Sequence, residues 1–166
     1  MNQDSRNFVD RLVVFVATGF GAGWLPVAPG TWGSAVGIAA AWGLNFLPWE
    51  FRIIAAVSGF LVGIPLCSRA ARLLGTADDP GAIVFDEIVG VIWTLLFVPF
   101  GVSTAILGFL LFRLFDTTKP WPIRRFEKLH GGLGVMADDL AAALAAGGIL
   151  WVVAQVFGTL SESVNC

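Results

Sequence analysis

The sequence predicts an all-α protein that lies in a membrane as a helical bundle, with about four to five short spans and an N-terminal interfacial or re-entrant segment. Hydrophobic residues make up 57% of the chain and charged residues only 13%, whereas a soluble domain has about 25% charged residues. The mean hydropathy is +0.81, so water cannot wet the whole surface. Glycine is also frequent, with 20 residues, which suits helices that pack closely in lipid.

The length of 166 residues leaves room for a single domain over 1–166, with a polar N-terminal tail over 1–11 and a C-terminal tail over 159–166. A net charge of -2 argues against a nucleic-acid partner, because such proteins carry a basic stripe. The chain has two cysteines, Cys67 and Cys166, and the second is the last residue. This arrangement does not indicate a framework of disulfides.

The N-terminal third of the chain alternates between apolar segments and glycine-bearing loops. Residues 12–25 are apolar but contain Gly19, Gly21 and Gly23, so we expect an interfacial or re-entrant segment instead of a full span. A rigid loop with the sequence PVAPGTWGS follows over 26–34. The apolar segments beyond it predict helices near 34–47, 53–67 and, towards the C-terminus, 139–158.

The apolar stretch over 88–112 contains no charged side chain and has Pro99-Phe100-Gly101 at its centre. Since this tripeptide is a strong helix breaker, we predict a hairpin of two helices, near 85–98 and 102–115. With the hairpin, nearly all cations lie on one side of the membrane and only Arg52 lies on the other, which agrees with the positive-inside rule. The cations on the first side are Arg6, Arg11, Arg69, Arg72, Arg113, Lys119, Arg124, Arg125 and Lys128.

Three groups of acids lie next to apolar helices on that same side. They are Asp86 with Glu87, Asp116, and Asp138 with Asp139. Hard cations such as Mg²⁺ bind carboxylate oxygens and commonly share them with a substrate phosphate. The alternative is that each acid only caps or solubilises a helix terminus. That alternative accounts for one group better than for all three, so we predict a metal site at these helix ends, with Asp86, Glu87, Asp138 and Asp139 as its candidate ligands.

Two basic residues accompany the acids where the hairpin's second helix ends. Arg113, Asp116 and Lys119 recur at i, i+3 and i+6, so the first two share one helix face. Ionisable groups at the end of an apolar helix indicate a functional site. The alternative is a charged interfacial anchor beside a span.

Two further segments contain candidate residues. The loop over 26–34 precedes a helix N-terminus, where backbone N–H groups and the helix dipole attract anions. Gly30, Thr31, Gly33 and Ser34 are therefore candidate phosphate-binding residues, although Thr31 or Ser34 could simply be the N-cap. His130, the only histidine, lies among glycines and is either a general acid, a metal ligand or a polar loop residue.

Four motifs in this chain resemble those of the phosphatidylglycerophosphatase A family, bacterial membrane lipid phosphatases. They are the segment from Gly19 to Ser34, the VFDEIVG segment over 84–90, the segment from Phe112 to Ile123 with KPWPI, and the segment from His130 to Asp139. In this chain's numbering the family's motif residues are Asp86, Glu87, Asp116, Lys119, Asp138 and Asp139, with Thr31 and Ser34 in the first loop.

The resemblance implies Mg²⁺-dependent hydrolysis of phosphatidylglycerophosphate to phosphatidylglycerol and phosphate, in phospholipid biosynthesis. The composition and the cation bias, and not the resemblance, predict a multi-pass membrane protein with its active site on the cytoplasmic side and membrane lipids as its surroundings. For a bacterial family, that membrane is expected to be the inner membrane. We expect Asp86, Glu87, Asp116, Lys119 and His130 to take part in catalysis, and Arg113 and Lys119 to bind the phosphate. Which carboxylate holds metal and which activates water stays open.

The alternative function is a small ion-coupled transporter or a lipid-binding membrane subunit. A transporter is expected to carry its charges near the membrane midplane and to contain internal repeats. The acids here cluster at helix ends and no repeat is visible in the sequence, which favours the enzyme.

Overall fold

The computed structural model describes the backbone of residues 3–75 and 81–164. In these two ranges the chain forms six α-helices and two short 3₁₀ turns, and no strand, which confirms the predicted all-α class. The helices are α1 (Gln3–Ala17), α2 (Pro29–Leu44), α3 (Trp49–Leu74), α4 (Phe85–Leu95), α5 (Val102–Thr118) and α6 (Gly132–Val164), and the 3₁₀ turns are Ala22–Trp24 and Ile123–Lys128.

Helix α4 is the centre of the bundle, and it packs against α2, α3, α5 and α6. Most of its apolar residues are buried, including Val91 and Leu95. Small residues allow the neighbouring helices to come close. A Cβ at Gly37 of α2 would lie 2.9 Å from the Ile88 carbonyl oxygen, and one at Gly90 would lie 2.6 Å from the Phe112 ring. The expected close packing through small residues is therefore present.

Helices α2 to α6 run antiparallel to their neighbours in sequence, so their termini collect at two ends of the bundle. At one end the Arg52 guanidinium, at the start of α3, donates a hydrogen bond of 3.3 Å to the Leu96 carbonyl at the end of α4. At the other end the Gly132 amide, at the start of α6, donates a hydrogen bond of 2.8 Å to Ser68 Oγ near the end of α3. We call this second end the acidic end, because the candidate carboxylates lie there.

The predicted hairpin is confirmed. Helices α4 and α5 are separated by a break over 96–101 and pack antiparallel against each other. As a result, Arg113 of α5 lies 3.8 Å from Glu87 of α4. Arg52 lies at the opposite end from Arg113 and Lys119, as the charge bias predicts. Asp78 and Asp79 of the α3–α4 loop lie outside the described residues, and so do the side chains of Arg6 and Lys128.

Several helix boundaries differ from the prediction. The tail over 1–11 is helical from Gln3 onward, because Asp10, Val13 and Ala17 of α1 gain contacts with α3 and the core. Helix α2 begins at Pro29 and not near residue 34, since proline is well suited to the first position of a helix. Helix α6 begins at Gly132 and continues through the expected C-terminal tail to Val164.

Two helices are long and apolar enough to cross a membrane, Trp49–Leu74 and Gly132–Phe157, with 26 residues each. A helix of that length extends about 39 Å, which exceeds the hydrocarbon core of a bilayer. Helices α2, α4 and α5 have 16, 11 and 17 residues and are shorter than this core. The described residues therefore support a membrane-associated bundle. They support the expected number of four to five spans only roughly.

Candidate active site

A polar pocket of about 250 Å³ opens at the acidic end of the bundle, where α2, α4 and α6 begin and α5 ends. It contains all three groups of acids that the sequence analysis selected, together with both basic residues. The pocket is lined by Ala28, Pro29, Gly30, Gly81, Ile83, Asp86, Glu87, Arg113, Asp116, Lys119, Val135, Asp138 and Asp139. The charged residues come from three different helices, so only the packing of α4, α5 and α6 brings them together.

Asp86, Glu87 and Asp139 form a compact group that we call the carboxylate triad. Each offers one carboxylate oxygen, and these three oxygens lie within 4.8 Å of one another. Asp86 and Asp139 are buried, with relative exposures of 7% and 4%. Within this group, Glu87 Oε2 and Asp139 Oδ2 are buried without a hydrogen-bond partner in the described part of the chain. A buried polar atom without a partner is costly, so it indicates a group that binds there.

Burial raises the pKa of the Glu87 carboxyl to about 8, since the charged form loses its hydration, and the charges of Asp139 and Asp116 add to this rise. A side-chain hydrogen bond with Asp86 acts in the opposite direction. Carboxylates in such a position repel one another unless a proton or a cation lies between them. The oxygen-only donor set and its spacing fit a hard divalent cation such as Mg²⁺.

Arg113 links the triad to the end of α5. Its Nη1 atom lies 2.6 Å from Asp116 Oδ2 and 3.8 Å from Glu87 Oε1. Arg113 and Asp116 are three residues apart, so one turn of α5 places both on the face that looks into the pocket. The guanidinium is therefore held beside the triad at a position where it can meet an anion.

Lys119 lies directly after α5 and pairs with α6. Its Nζ atom is 2.5 Å from Asp138 Oδ2. The Lys119 backbone is left-handed, with φ 40°, and its amide donates to the Phe115 carbonyl to close the helix. A non-glycine residue in this conformation costs on the order of 1–3 kcal/mol and is found where the surroundings enforce it, commonly at functional sites. The turn directs the amine back towards the pocket.

The first turn of α2 contributes Gly30 to the pocket wall. A Cβ at this position would overlap with Glu87 Oε1 and would lie 2.8 Å from Arg113 Nη1. The amides of Thr31 and Trp32 donate to the Ala28 carbonyl, and Pro29 has no N–H. The Gly30 amide is therefore the α2 donor that lies nearest the pocket and can serve an anion.

The other candidate phosphate-binding residues of the first loop, Thr31, Gly33 and Ser34, lie outside the pocket. Neither Thr31 nor Ser34 is an N-cap, because Ala28 occupies that position. Ser34 is fully buried and its hydroxyl donates a hydrogen bond of 2.8 Å to the Gly30 carbonyl. A Cβ at Gly33 would lie 2.6 Å from Val84 Cβ. Thr31, Gly33 and Ser34 do not line the pocket, and Gly33 and Ser34 instead hold the first turns of α2 in place.

His130 is exposed in the loop before α6 and does not line the pocket. The glycines that follow His130 allow the backbone to approach α3 closely, since a Cβ at Gly132 would overlap with the Ile64 carbonyl oxygen. The structure thus brings Asp86, Glu87, Asp116, Asp138, Asp139, Arg113, Lys119 and Gly30 together, and leaves His130, Thr31, Gly33 and Ser34 outside the pocket.

The sequence analysis selected Gly30 but not the other uncharged residues of the pocket wall, which are Ala28, Pro29, Gly81, Ile83 and Val135. The pair Pro29-Gly30 does carry a usable signal, because proline is favoured at the first position of a helix. This preference predicts that α2 begins at Pro29, at the edge of the pocket. For Ile83 and Val135 no signal in the sequence separates pocket lining from ordinary core.

The fold and this pocket define a class: a helical protein with membrane-length helices and, at one end, a carboxylate site flanked by basic groups. The family model for phosphatidylglycerophosphatase A matches residues 15–154, and the chain belongs to that family. Every charged residue of the pocket lies within the matched range.

Individual relatives agree with this assignment. Phosphatidylglycerophosphatase A of Escherichia coli (strain K12) is 39% identical over 140 residues, which cover 83% of this chain and 81% of the relative. Phosphatidylglycerophosphatase A of Haemophilus influenzae is 42% identical over 134 residues, covering 79% and 82%. A protein of Bacteroides thetaiotaomicron, named provisionally as a phosphatidylinositol-3-phosphatase, is 37% identical over 156 residues, covering 89% and 96%. No solved structure matches the chain at a significant level.

Proposed function

We propose that this protein is a Mg²⁺-dependent phosphatidylglycerophosphatase. It hydrolyses the terminal phosphate of phosphatidylglycerophosphate and releases phosphatidylglycerol and inorganic phosphate, a step of phospholipid biosynthesis. The observation that carries the proposal is the family match over 15–154, within which all the acids and both cations of the pocket fall. The pocket supports it independently, because it combines ligands for a divalent cation with groups that bind phosphate.

Asp86, Glu87 and Asp139 are the residues that would hold Mg²⁺, since one oxygen of each converges, and Glu87 Oε2 and Asp139 Oδ2 are buried without hydrogen-bond partners in the described part of the chain. When bound, Mg²⁺ would offset negative charge on the phosphoryl oxygens and make an attacking water more acidic. The triad's own contribution is to fix that charge at the base of the pocket, away from bulk solvent.

Arg113 and Lys119 would bind the phosphoryl oxygens from the α5 side of the pocket. Phosphoryl transfer depends mainly on placing positive groups around the transferring phosphorus and its oxygens. The Arg113 guanidinium is 3.8 Å from Glu87, so a phosphate that binds it would also lie close to the triad. The Gly30 amide would donate from the first turn of α2, next to Arg113. The lipid chains would extend between the helices towards the apolar part of the bundle.

We further propose that the protein is a multi-pass protein of the bacterial inner membrane with the acidic end on the cytoplasmic side. Arg113 and Lys119 lie at the acidic end, where the chain continues into the Ile123–Lys128 turn, while Arg52 lies at the other end. Segments rich in lysine and arginine remain on the cytoplasmic side of bacterial membranes. A site at this surface would meet the phosphate headgroups of the inner leaflet.

The direct test is phosphate release by protein purified in detergent, with phosphatidylglycerophosphate as substrate and phosphatidylinositol 3-phosphate as comparison. We expect release from phosphatidylglycerophosphate in Mg²⁺, loss of release in EDTA, and recovery when Mg²⁺ is restored. The second lipid follows from the name of the Bacteroides relative. Full activity in EDTA would contradict the metal requirement, and a preference for the inositol lipid would contradict the proposed substrate.

A further inference from the structure

The five acids of the pocket differ in what their oxygens contact. We infer that Asp116 and Asp138 are positioning residues, which hold Arg113 and Lys119 for the substrate phosphate and do not bind the metal. This division rests on the proposed function and deepens it. It differs from the sequence-based prediction, which grouped Asp138 with the metal ligands and Asp116 with the catalytic residues.

One oxygen of Asp116 and both oxygens of Asp138 are engaged by protein groups. Asp116 Oδ2 accepts a hydrogen bond of 2.6 Å from Arg113. Asp138 Oδ2 accepts from Lys119, and Asp138 Oδ1 accepts a hydrogen bond of 3.1 Å from the Asp139 amide. In contrast, Glu87 Oε2 and Asp139 Oδ2 have no such partner within the described residues. The described chain offers one group of three carboxylates within ligand distance, and neither Asp116 nor Asp138 belongs to it.

In both ion pairs the acid lies deeper than the cation. The side chain of Asp116 is 12% exposed and that of Arg113 is 20% exposed. The difference is larger in the second pair, with 9% for Asp138 and 27% for Lys119. A phosphate that enters the pocket therefore meets the cation first, with the carboxylate behind it. This order is the one expected if the carboxylate fixes the cation and the cation binds the ligand.

Holding the cation in place before phosphate binds favours binding, especially for a long, flexible side chain such as lysine. An unconstrained lysine loses much rotamer freedom when it binds phosphate, whereas one already held by a carboxylate loses less. At Lys119 the backbone adds to the constraint, because its left-handed conformation sets the direction in which the side chain leaves α5. Arg113 is constrained in the same way by contacts with both Asp116 and Glu87.

The test compares Asp116→Asn and Asp138→Asn with Asp86→Asn and Asp139→Asn. For the first two variants we expect the KM for phosphatidylglycerophosphate and the inhibition constant of inorganic phosphate to rise about tenfold, the size of change that accompanies a weakened charged contact. The Mg²⁺ concentration that gives half of the maximal rate should not change, and neither should the rise in unfolding temperature that Mg²⁺ causes in detergent. For the other two we expect this Mg²⁺ concentration to rise or activity to disappear, and the Mg²⁺-dependent rise in unfolding temperature to be lost.

A double-mutant cycle separates action through the cation from a general structural role. If Asp138 acts through Lys119, Asp138→Asn should have no further effect on KM once Lys119 is Met, since the interaction is already absent. The same holds for Asp116→Asn in an Arg113→Met background. Asp10→Asn is the matched control, because it removes an equally short ion pair, with Arg69 at 2.6 Å, outside this pocket. Its KM should equal that of the wild type.

Two results would overturn the division of the acids. One is an Asp138→Asn variant whose Mg²⁺ requirement shifts as much as that of Asp139→Asn. The other is a cycle in which the effects of Asp138→Asn and Lys119→Met on KM simply add. Either result leaves the proposed function intact. Failure of the wild-type protein to release phosphate from phosphatidylglycerophosphate would instead contradict the proposed function itself.

Discussion

Gly30 is the residue at which the first turn of α2 meets both the triad and Arg113. A side chain at this position has no room, because its Cβ would overlap with Glu87 Oε1 and approach Arg113 Nη1 to 2.8 Å. The atoms it would displace belong to the site and not to the core. The reason for glycine here is therefore the site, whereas Gly33 in the same helix is required by packing against Val84.

We expect Gly30→Ala to lower kcat/KM by about a hundredfold, equivalent to roughly 2.7 kcal/mol of transition-state stabilisation, because Glu87 and Arg113 must both move. Steady-state kinetics beside thermal unfolding in detergent measures this. Gly43→Ala is the control in the same helix, since a Cβ there has nothing within 4 Å. It should leave activity unchanged and raise helix stability by up to about 1 kcal/mol. Equal activities of the two variants would exclude a role for Gly30 in the site.

At the level of helices, the charges of the pocket agree with the helix dipoles. Asp86 and Glu87 occupy the first turn of α4, where the partial positive charge of a helix N-terminus favours acids. Arg113 and Lys119 lie at the end of α5, where the partial negative charge favours bases. The hairpin of α4 and α5 thus places opposite charges side by side, and a single turn at Pro99-Phe100-Gly101 is sufficient to do so.

The same hairpin determines which loops share a compartment, and cysteine labelling can test this. In a Cys67→Ala, Cys166→Ala background, cysteines at Gly81 and Trp121 should react with an impermeant reagent only after the inner membrane is opened. A cysteine at Val102, which is 79% exposed at the other end of the bundle, should react from the periplasm. All three positions are at exposed sites. Labelling of the Trp121 position from outside in intact spheroplasts would show that the acidic end is not cytoplasmic.

For the molecule as a whole, the triad is a source of instability that a cation should remove. Three carboxylates converge in the pocket at the acidic end of the bundle, and burial already raises the pKa of Glu87 to about 8. Because a cation binds the folded pocket and not the unfolded chain, it should stabilise the fold by mass action.

At a Mg²⁺ concentration of about 100 times its dissociation constant we expect the free energy of unfolding to rise by about 2.7 kcal/mol. Thermal unfolding in detergent, with and without Mg²⁺, measures this independently of catalysis. Asp139→Asn should lose the rise, and without metal it should be no less stable than the wild type because it removes a buried charge. Asp10→Asn should keep the rise. An equal rise in Asp139→Asn would show that Mg²⁺ stabilises the protein elsewhere.

The sequence by itself determined the class of the fold, the hairpin and the family. Hydropathy, glycine content and the helix breaker at Pro99-Phe100-Gly101 are local properties, and each affects only the structure of its own segment. The motif around Asp86 and Glu87 and the one around Lys119 were recognisable for the same reason. The acids could be selected because charge is conspicuous in so apolar a chain.

Only the tertiary structure decided which of those residues share a pocket and with which partners. Asp86 and Asp139 are 53 positions apart, and Lys119 and Asp138 are 19 apart. Their contacts depend on how α4, α5 and α6 are rotated and packed, which no local pattern specifies. The same packing leaves His130 at the surface and turns Ser34 to the Gly30 carbonyl. Local patterns indicate which residue types are present, but a residue's role depends on its contacts. Those contacts form only when helices that are distant in sequence pack around the same buried pocket.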